Sequence, residues 1–501
     1  MNRSDLCYLW AVNDVVPIEQ YKALEAKFLA LQHELEQLKR LIFGSKRERF
    51  VPAVAAEQLM LDFGQSEEVV EAEAAATETI SYTRKKVAHP GRTVLPDHLP
   101  TEEVILEPEE DTTGMKLIGE EITETIDYRP GVLFKRRVIR RKYARMTPVE
   151  GETSVVIAPL PERPIPKGIA EAGLLAYLIV SKYLDHLPFY RQIERFKREH
   201  NWVLQKTTLN DWFAACCMLL EPLSQRLMER TLDSDYLQAD ESPIKVLDKD
   251  SPGSTHQGYM WVYRNPVNGL VFFDYRKGRG MHGPKERLAG FKGLLQCDGY
   301  KVYDSLAAKQ PDVRLVSCLA HIRRKFFEAK ENSPKKATEA LSRIGQLYDL
   351  ERTYREEGCH PEQIAARRQV EARPLFEGLL EWVKEEYGNN LSTENIGKAL
   401  RYASQQLPRL EPYLSDGRIQ IDNNLIENAI RPLALGRKNY LFAGAHSGAE
   451  RTAMIYSFLA SCKTLEVNPL EWMTDVLQRV GSHPVNRIDE LLPGNWKKLE
   501  V

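Results

Sequence analysis

The stretch Tyr236-Leu-Gln-Ala-Asp-Glu-Ser-Pro243 decides the fold, because the pattern of the chain changes there from helical to extended. Four more short runs rich in strand-forming residues follow it, namely Tyr259–Arg264, Leu270–Tyr275, Leu294–Cys297 and Leu315–Cys318. Helical patterns then return over residues 320–412, 424–434 and 449–463. We therefore predict a mixed α/β core that a helical insertion interrupts.

Three acidic residues lie at transitions within this core. Asp240 ends the first strand-like run, Asp298 ends the run Leu294-Leu-Gln-Cys, and Glu427 lies on a helix that Asp422-Asn-Asn begins. Acids at the ends of neighbouring strands point to the same edge of a sheet, where function usually lies in open α/β folds. Three such carboxylates can hold two divalent cations about 4 Å apart, and hard oxygen ligands suit Mg²⁺.

Each acid also has an ordinary structural interpretation. Asp298-Gly299 is a common turn pair, and Asp240 suits the start of the turn before Pro243. Glu427 is the third residue after Asn424, a spacing that suits the start of a helix. Pattern alone leaves both interpretations open for each acid.

The segments before the core differ in composition. Residues 18–43 carry an apolar seam with spacings of three and four, formed by Tyr21, Leu24, Phe28, Leu31, Leu35, Leu38 and Ile42. This seam favours a self-associating coiled coil over one amphipathic helix packed on its own domain. An acidic linker follows near residues 64–80, and residues 87–165 predict a small β module.

Residues 166–232 predict three short helices, Gly173–Tyr183, Phe189–Glu199 and Leu209–Leu220, with Thr207 or Thr208 as the cap of the third. Such an arrangement is typical of a helix-turn-helix, although a plain helical bundle has the same pattern.

Basic residues mark candidate contacts with DNA. The run Phe134–Arg145 has seven basic residues among twelve and no acid, and its aromatic residues favour phosphate contact over a solvated strand face. The candidates are Arg136, Arg137, Arg140, Arg141 and Lys142 on this run, Lys206 before the third helix, Arg323, Arg324 and Lys325, and Arg431, Arg437 and Lys438 after Glu427. We expect Arg437 and Lys438 in a loop, and a structural ion pair is the alternative for the candidates after residue 320.

The overall composition is that of an ordinary globular protein. The 501 residues include 69 Lys and Arg against 71 Asp and Glu, which excludes a uniformly basic coat but not local binding of nucleic acid. Seven scattered cysteines form no C-x-x-C pair. The longest apolar run, 170–180, is too short to span a bilayer. We expect a cytoplasmic protein that is nucleoid-associated when bound to DNA and does not bind membranes.

Several long motifs lie along the chain. The strongest are Leu237–Pro243, Leu295-Gln-Cys-Asp-Gly-Tyr300, Ala320-His-Ile-Arg-Arg-Lys-Phe-Phe327 and Asp422–Gly444. Further motifs are Phe43-Gly-Ser-Lys46, Pro164–Gly168, Ser181–Arg191 and Asn486–Trp496. These motifs resemble those of the insertion sequence 66 family of transposases, and they follow the family's order along nearly the whole chain.

The resemblance implies a DDE catalytic core with an RNase H-like fold, in which Asp240, Asp298 and Glu427 are the catalytic, metal-binding acids. It implies two Mg²⁺ or Mn²⁺ ions, and double-stranded DNA as the partner, both element ends and target. The implied reaction is cleavage at the element ends followed by strand transfer, with accessory proteins encoded by the same element. The alternatives are an inactive, transposase-derived DNA-binding regulator and an RNase H-like nuclease without strand transfer.

The chain departs from the family in one module. Family members carry cysteine pairs before Pro164, whereas the corresponding stretches 110–115 and 143–148 contain no cysteine. Because Thr and Met cannot replace four thiolates around zinc, we expect no zinc there. Cys318 and His321 have a C-x-x-H spacing, but two ligands are too few.

The predicted division of the chain follows from these segments. It comprises a leucine-zipper-like helix at 1–50, the acidic linker at 51–86, the β module at 87–165, a helical DNA-binding region at 166–232, the catalytic core at 233–465 with its helical insertion at about 328–416, and a C-terminal helix and tail at 466–501.

Overall fold

The structure is a computed structural model that describes residues 99–129, 131–144, 155–247, 254–390 and 394–498. The predicted N-terminal coiled coil and acidic linker lie outside the described residues. All described residues belong to one compact unit. Within the described ranges, no helix combines the length and apolar composition needed to cross a membrane.

A small sheet comes first in the described chain. Its strands are β1 (Thr101–Leu106), β2 (Lys116–Arg129), β3 (Val132–Ala144) and β4 (Val155–Ile157). The central strand β3 pairs in parallel with β1 and antiparallel with β2 and β4. The turn between β2 and β3 contains Gly131 with φ of +83°, a conformation that glycine adopts without steric cost.

Three helices follow: α1 (Ala172–Tyr183), α2 (Phe189–His200) and α3 (Lys206–Leu232). The predicted end of the third helix at Leu220 is wrong, because α3 continues for three more turns through Pro222. Leu223 and Leu227 are fully buried, and their packing outweighs the backbone hydrogen bond that the proline removes. The helix also begins earlier than predicted, and neither Thr207 nor Thr208 caps it; Gln205 precedes its first residue.

The central sheet contains all five predicted strands. In chain order its elements are β5 (Tyr236–Leu247), β6 (Thr255–Arg264), β7 (Val271–Arg276), α4 (His282–Arg287), β8 (Gly293–Gln296), α5 (Lys301–Ala307) and β9 (Val313–Val316). The strand order is β7-β6-β5-β8-β9. Strands β5, β6 and β7 are antiparallel, whereas β5, β8 and β9 are parallel.

Strand β5 does not end at Asp240, as predicted, but continues to Leu247 because its antiparallel pairing with β6 extends that far. Its parallel pairing with β8 ends earlier, at Gln238 and Gln296. Asp240 therefore lies just beyond the parallel part of the sheet, although it is inside a strand.

A helical segment separates β9 from the last helices of the core. It comprises α6 (Leu319–Glu328), α7 (Pro334–Glu356), α8 (Pro361–Arg367), a π-helical turn (Arg368–Ala372), α9 (Arg373–Gly388), α10 (Asn395–Gln406) and a 3₁₀ segment (Leu407–Leu414). These elements bury their own apolar cluster, which includes Ile344, Leu379 and Leu400. The cluster also contains Tyr236 and Val316 of the central sheet, so the insertion packs directly on β5 and β9.

The chain ends in α11 (Asn424–Tyr440), α12 (His446–Thr464), α13 (Pro469–Arg479) and a 3₁₀ segment (Val485–Leu491). Helix α11 is six residues longer than the predicted 424–434, so Arg437 and Lys438 lie in a helix and not in a loop. The reason is tertiary packing, because a Cβ at Gly436 would come within 2.5 Å of the Tyr456 hydroxyl. The close contact with α12 keeps this glycine helical.

One apolar core joins parts of the chain that the sequence analysis separated. It contains Ile126 of the small sheet, Leu175 of α1, Phe273 of β7, Phe458 of α12 and Trp472 of α13. The small sheet, the helical region and the C-terminal helix therefore pack on the same face of the central sheet.

Candidate active site

The central sheet brings two of the predicted acids to one edge. Gln238 of β5 and Gln296 of β8 are register partners, and Asp240 and Asp298 each lie two residues further along. Burial raises the pKa of Asp240 well above its ordinary value, and the charges of Glu241, Asp298 and Glu427 raise it further. All three predicted acids therefore lie close enough to interact electrostatically.

Backbone hydrogen bonds orient the two aspartates. The Glu241 N–H donates to Asp240 Oδ1 at 2.7 Å, and the Tyr300 N–H donates to Asp298 Oδ1 at 2.9 Å. Each aspartate therefore keeps its other carboxylate oxygen for a ligand. The turn after Asp298 also requires glycine, since a Cβ at Gly299 would come within 2.8 Å of the Tyr402 hydroxyl of α10.

Glu427 reaches the same edge from the first turn of α11. Asn423, which is fully buried, precedes this helix and donates from Nδ2 to the Ala239 carbonyl at 3.2 Å, while its backbone N–H contacts Cys318 Sγ at 3.1 Å. The Tyr348 hydroxyl of the insertion donates to Asp422 at 2.9 Å. The Asp422-Asn423 pair thus ties the start of α11 to β5 and to the insertion.

The side chain of Glu427 is partly buried, with 21% of it exposed, and its carboxylate is incompletely satisfied. Its Oε1 atom has no hydrogen-bond partner among the described residues and lies 4.0 Å from His321 Nε2 of α6. Burial raises the pKa of Glu427, whereas the charge of Arg324 lowers it. The sequence analysis did not assign His321 to this site, although it lies in the Ala320–Phe327 motif.

A fourth carboxylate, Glu241, was also missed. Its side chain is 2% exposed and accepts hydrogen bonds from Arg279 at 2.7 and 2.9 Å. Burial and the charge of Asp298 raise the pKa of Glu241 to about 7. Arg279 lies 4.0 Å from the ring centroid of Tyr300, which holds the guanidinium in place. The sequence gives no sign that Glu241 belongs to the same site as Asp240, because successive residues of a strand normally face opposite sides.

The donor set fits divalent cations with hard-oxygen preferences. Within the described ranges, no three Asp, Glu, His or Cys side chains lie close enough to ligate one ion as they stand. Mg²⁺ binds through one or two carboxylates and completes its shell with water and phosphate, so pairs of these acids suffice. The unpartnered Glu427 Oε1 and the repulsion that raises the pKa of Asp240 are features that a bound cation relieves.

The predicted DNA contacts on β3 are all ion-paired within the small sheet. The pairs are Arg136–Asp127 at 3.1 Å, Arg137–Glu103 at 3.1 Å, Arg140–Glu121 at 2.7 Å, Arg141–Glu107 at 2.8 Å and Lys142–Glu121 at 3.0 Å. The acids come from β1, β2 and the residue after β1, so the basic run is neutralised by its neighbours. Their contact with DNA stays a prediction.

The other basic candidates lie on helices. Arg323, Arg324 and Lys325 are on α6, and the charge of Arg324 acts on Glu427. Arg431 is exposed one turn after Glu427, Lys438 is exposed near the end of α11, and Lys206 is exposed in the first turn of α3. Lys325 pairs with Glu328 at 2.8 Å.

Arg437 instead has a structural role. Its Nη1 atom donates to Ser242 Oγ at 3.0 Å and to the Pro243 carbonyl at 2.6 Å, which fastens α11 to β5.

Acids clustered at a sheet edge beside exposed cations are typical of enzymes that transfer phosphoryl groups with the help of bound metal ions. Family comparison narrows this class. The model of the transposase IS66 family matches residues 167–451, and that of the IS66 C-terminal element matches residues 457–493. A third, described as transposase C of IS166 homeodomain, matches residues 30–104. The chain belongs to the IS66 family of transposases.

Relatives of similar length occur in Sinorhizobium fredii. The uncharacterized protein y4jD is 32% identical over 511 residues, which covers 96% of this chain and 98% of the relative. The uncharacterized protein y4qI is 32% identical over 498 residues, covering 95% and 90% of the two chains. The similarity therefore spans the small sheet, the core and the tail together.

Proposed function

We propose that this protein is a DDE transposase that cleaves DNA at the ends of an insertion sequence and joins the freed 3′-hydroxyl to target DNA. The observation that carries this proposal is the convergence of Asp240, Asp298 and Glu427 in a chain of the IS66 family. We also propose that the sheet of order β7-β6-β5-β8-β9 is an RNase H-like core.

The acids would hold two divalent cations, Mg²⁺ or Mn²⁺. When bound, such ions activate water and stabilise the oxygen that leaves the phosphodiester. The protein contributes fixed positions, because backbone hydrogen bonds orient Asp240 and Asp298 and Asn423 anchors the helix of Glu427. Positioning and charge neutralisation are the main sources of rate in phosphoryl transfer.

The scissile strand would lie against α6 and α11. Arg324, whose charge acts on Glu427, and Arg431, one helical turn after Glu427, would hold the phosphates next to the cleaved bond. Arg323, Lys325, Lys438 and Lys206 would extend this contact along the duplex. The five cations of β3 would contact DNA only by exchanging a carboxylate partner for a phosphate. We further propose self-association through the N-terminal helix and cooperation with accessory proteins encoded by the same element.

Neutral variants of the three acids test the proposal. Asp240→Asn, Asp298→Asn and Glu427→Gln keep the size of each side chain but remove a charged ligand, so each should lower metal-dependent cleavage of a labelled element end by at least 100-fold, roughly the loss expected when preorganised charge is removed. DNA binding and thermal unfolding should stay near wild type. Asp312→Asn is the matched control, because Asp312 is exposed and its ion pair among the described residues is with Lys292, away from the three acids in sequence.

The products of the same assay separate the alternatives. Cleavage followed by joining to a second duplex supports a transposase. Cleavage without joining would indicate a nuclease, and binding without cleavage in Mg²⁺ and Mn²⁺ would indicate a DNA-binding regulator. Near-normal cleavage by one of the three variants would remove that residue from the site.

A further inference from the structure

A cavity of about 250 Å³ lies at the end of α11 that is remote from Glu427. It opens between the end of α1, the start of α3 and the first turns of α12. Its walls include Lys182, Asn210, Phe442, Ser447 and Arg451. Its described lining residues include two cations and no carboxylate.

Lys182 brings a positive charge to the cavity. Its ammonium nitrogen lies 4.0 Å from the ring centroid of Phe189 and 4.8 Å from that of Phe213. Within the described part of the chain, no carboxylate lies at ion-pair distance from it. Aromatic faces hold a cation in place without cancelling its charge. Burial lowers the pKa of Lys182 to about 8, so it is still mostly protonated at neutral pH.

Arg451 and the start of α12 add to this positive field. Arg451 lies in the second turn of α12 and, among the described residues, has no acidic partner. The residue before the helix is Ala445, which has no side-chain acceptor for the first N–H groups. A Cβ at Gly444 or Gly448 would meet no atom within 4 Å, so the approach to these N–H groups is open. The N-terminus of a helix favours anions.

We propose that this cavity binds a backbone phosphate of DNA, at a second contact distinct from the carboxylate site. The assignment of DNA as the source of the phosphate rests on the proposed function. A lysine, an arginine and free helix N–H groups together match the charge and the acceptor oxygens of a phosphodiester.

Two independent paths give the spacing between the cavity and the acids. Thirteen residues of α11 separate Glu427 from Tyr440, which is about 20 Å at about 1.5 Å per residue. Six residues of β5 separate Asp240 from Val246, the bridge partner of Ala443 in the cavity wall, which is also about 20 Å. Phosphates of one strand rise about 3.4 Å per nucleotide along the duplex axis and also wind around it, so a contact about 20 Å away lies within about six nucleotides of the cleaved bond.

Variants of the full chain test this contact by binding alone. Arg451→Gln and Lys182→Met should each weaken binding of an element end about five- to tenfold and reduce the salt dependence of binding by about one phosphate. Arg451→Lys keeps the charge and should restore most of the affinity. The control is Lys463→Gln, which removes one exposed charge from the last turn of α12. Equal losses in control and cavity variants, or none in either, would overturn the proposal.

DNA in which one phosphate is replaced by an uncharged methylphosphonate identifies the phosphate that the cavity contacts. A single methylphosphonate is moved one position at a time within about six nucleotides of the cleavage position. At one position it should cost the wild type the same factor and cost Arg451→Gln nothing further, because both changes remove one interaction. Additive losses would contradict the contact.

A free anion is the other source of the same chemistry. If millimolar inorganic phosphate raises the melting temperature of the wild type but not of Arg451→Gln, while no methylphosphonate position affects binding, the DNA assignment is wrong. Melting temperatures without phosphate show whether each variant folds. All these measurements omit divalent cations and therefore report binding without cleavage. If the chain binds DNA through the cavity but does not cleave it when metal is added, the proposed function is contradicted and this inference still stands.

Discussion

Single residues show how the fold tolerates buried charge. Glu241 is paired with Arg279, whereas Asp240 is held only by a backbone N–H among the described residues. Asp240 therefore has no cationic partner among the described residues, at the sheet edge where the proposed cations would bind. A buried acid with only a structural role instead has both carboxylate oxygens paired with a cation, as Glu351 has in the insertion.

Arg368 is the cationic partner of Glu351. It is 1% exposed, donates to both Glu351 oxygens at 2.8 and 2.7 Å and also donates to the carbonyls of Tyr413, Asp416 and Ile419. Arg368→Met leaves the carboxylate buried without its cation, so we expect a loss of about 3–5 kcal/mol in the free energy of unfolding, measured with denaturant.

The control for this change is Arg373→Met. Arg373 is partly exposed and pairs with Glu377 at 3.3 Å, an interaction worth about 0.5 kcal/mol or less. If Arg368→Met costs no more than the control, the buried pair does not stabilise the insertion.

At the scale of elements, α3 holds the C-terminal segment. Asp489 accepts two hydrogen bonds from Arg226, at 2.6 and 2.8 Å, and two from Arg230, at 2.7 and 3.5 Å. These arginines hold the pKa of Asp489 well below its ordinary value. The stabilisation by Asp489 is therefore present above the pKa that this carboxyl has in the unfolded chain, near 4, and is lost as pH falls below that value.

Asp489→Asn should lower the free energy of unfolding by about 1–2 kcal/mol at pH 7, since charge-assisted bonds at a partly exposed site are worth about that much. The gap to the wild type should narrow as pH falls from 4 to 3. Glu490→Gln is the control, because its pair with Arg487 joins residues of the same segment. A gap that stays constant with pH would contradict the role of the ionised carboxylate.

The small sheet is an element that forms without the family's cysteines. Its turn before β2 is closed by Asp111, which accepts hydrogen bonds from the Thr113 N–H at 3.0 Å and hydroxyl at 2.5 Å. We therefore predict that the purified chain holds no stoichiometric zinc and that a chelator leaves its melting temperature unchanged. Elemental analysis that finds one zinc per chain would contradict this.

At the scale of the whole molecule, joining two element ends requires at least two DNA-bound subunits. The 3-4 seam from Tyr21 to Ile42 predicts the contact between them. Leu31→Asp with Leu38→Asp removes apolar burial and adds a cost of desolvation, and three heptads are short enough for one such change to be decisive. We expect weaker self-association by sedimentation and a loss of paired-end strand transfer.

Nicking of a single end should suffer less in this variant, because the three acids lie in the central core. His33→Asp with Gln37→Asp is the control, since both positions are outside the seam. If the seam variant self-associates and transfers strands like this control, the helix packs within its own domain and the coiled-coil interpretation is wrong.

The sequence alone determined what depends on nearby residues. Short runs rich in strand-forming residues predicted the five strands, and local motifs predicted Asp240, Asp298 and Glu427 as the candidate acids. It also predicted helices around 172–183 and 189–200, because their periodicity and turns act within a few residues.

Only the tertiary structure decided what depends on distant residues. Three features depend on residues that are far apart in the chain. They are the burial of Glu241, the approach of His321 to Glu427 and the ion pairs of β3. The full length of α11 likewise depends on the contact of Gly436 with Tyr456. Such contacts are chosen by the packing of the whole chain, because the free energy of burying one side chain exceeds the preference of any single residue for helix, strand or turn.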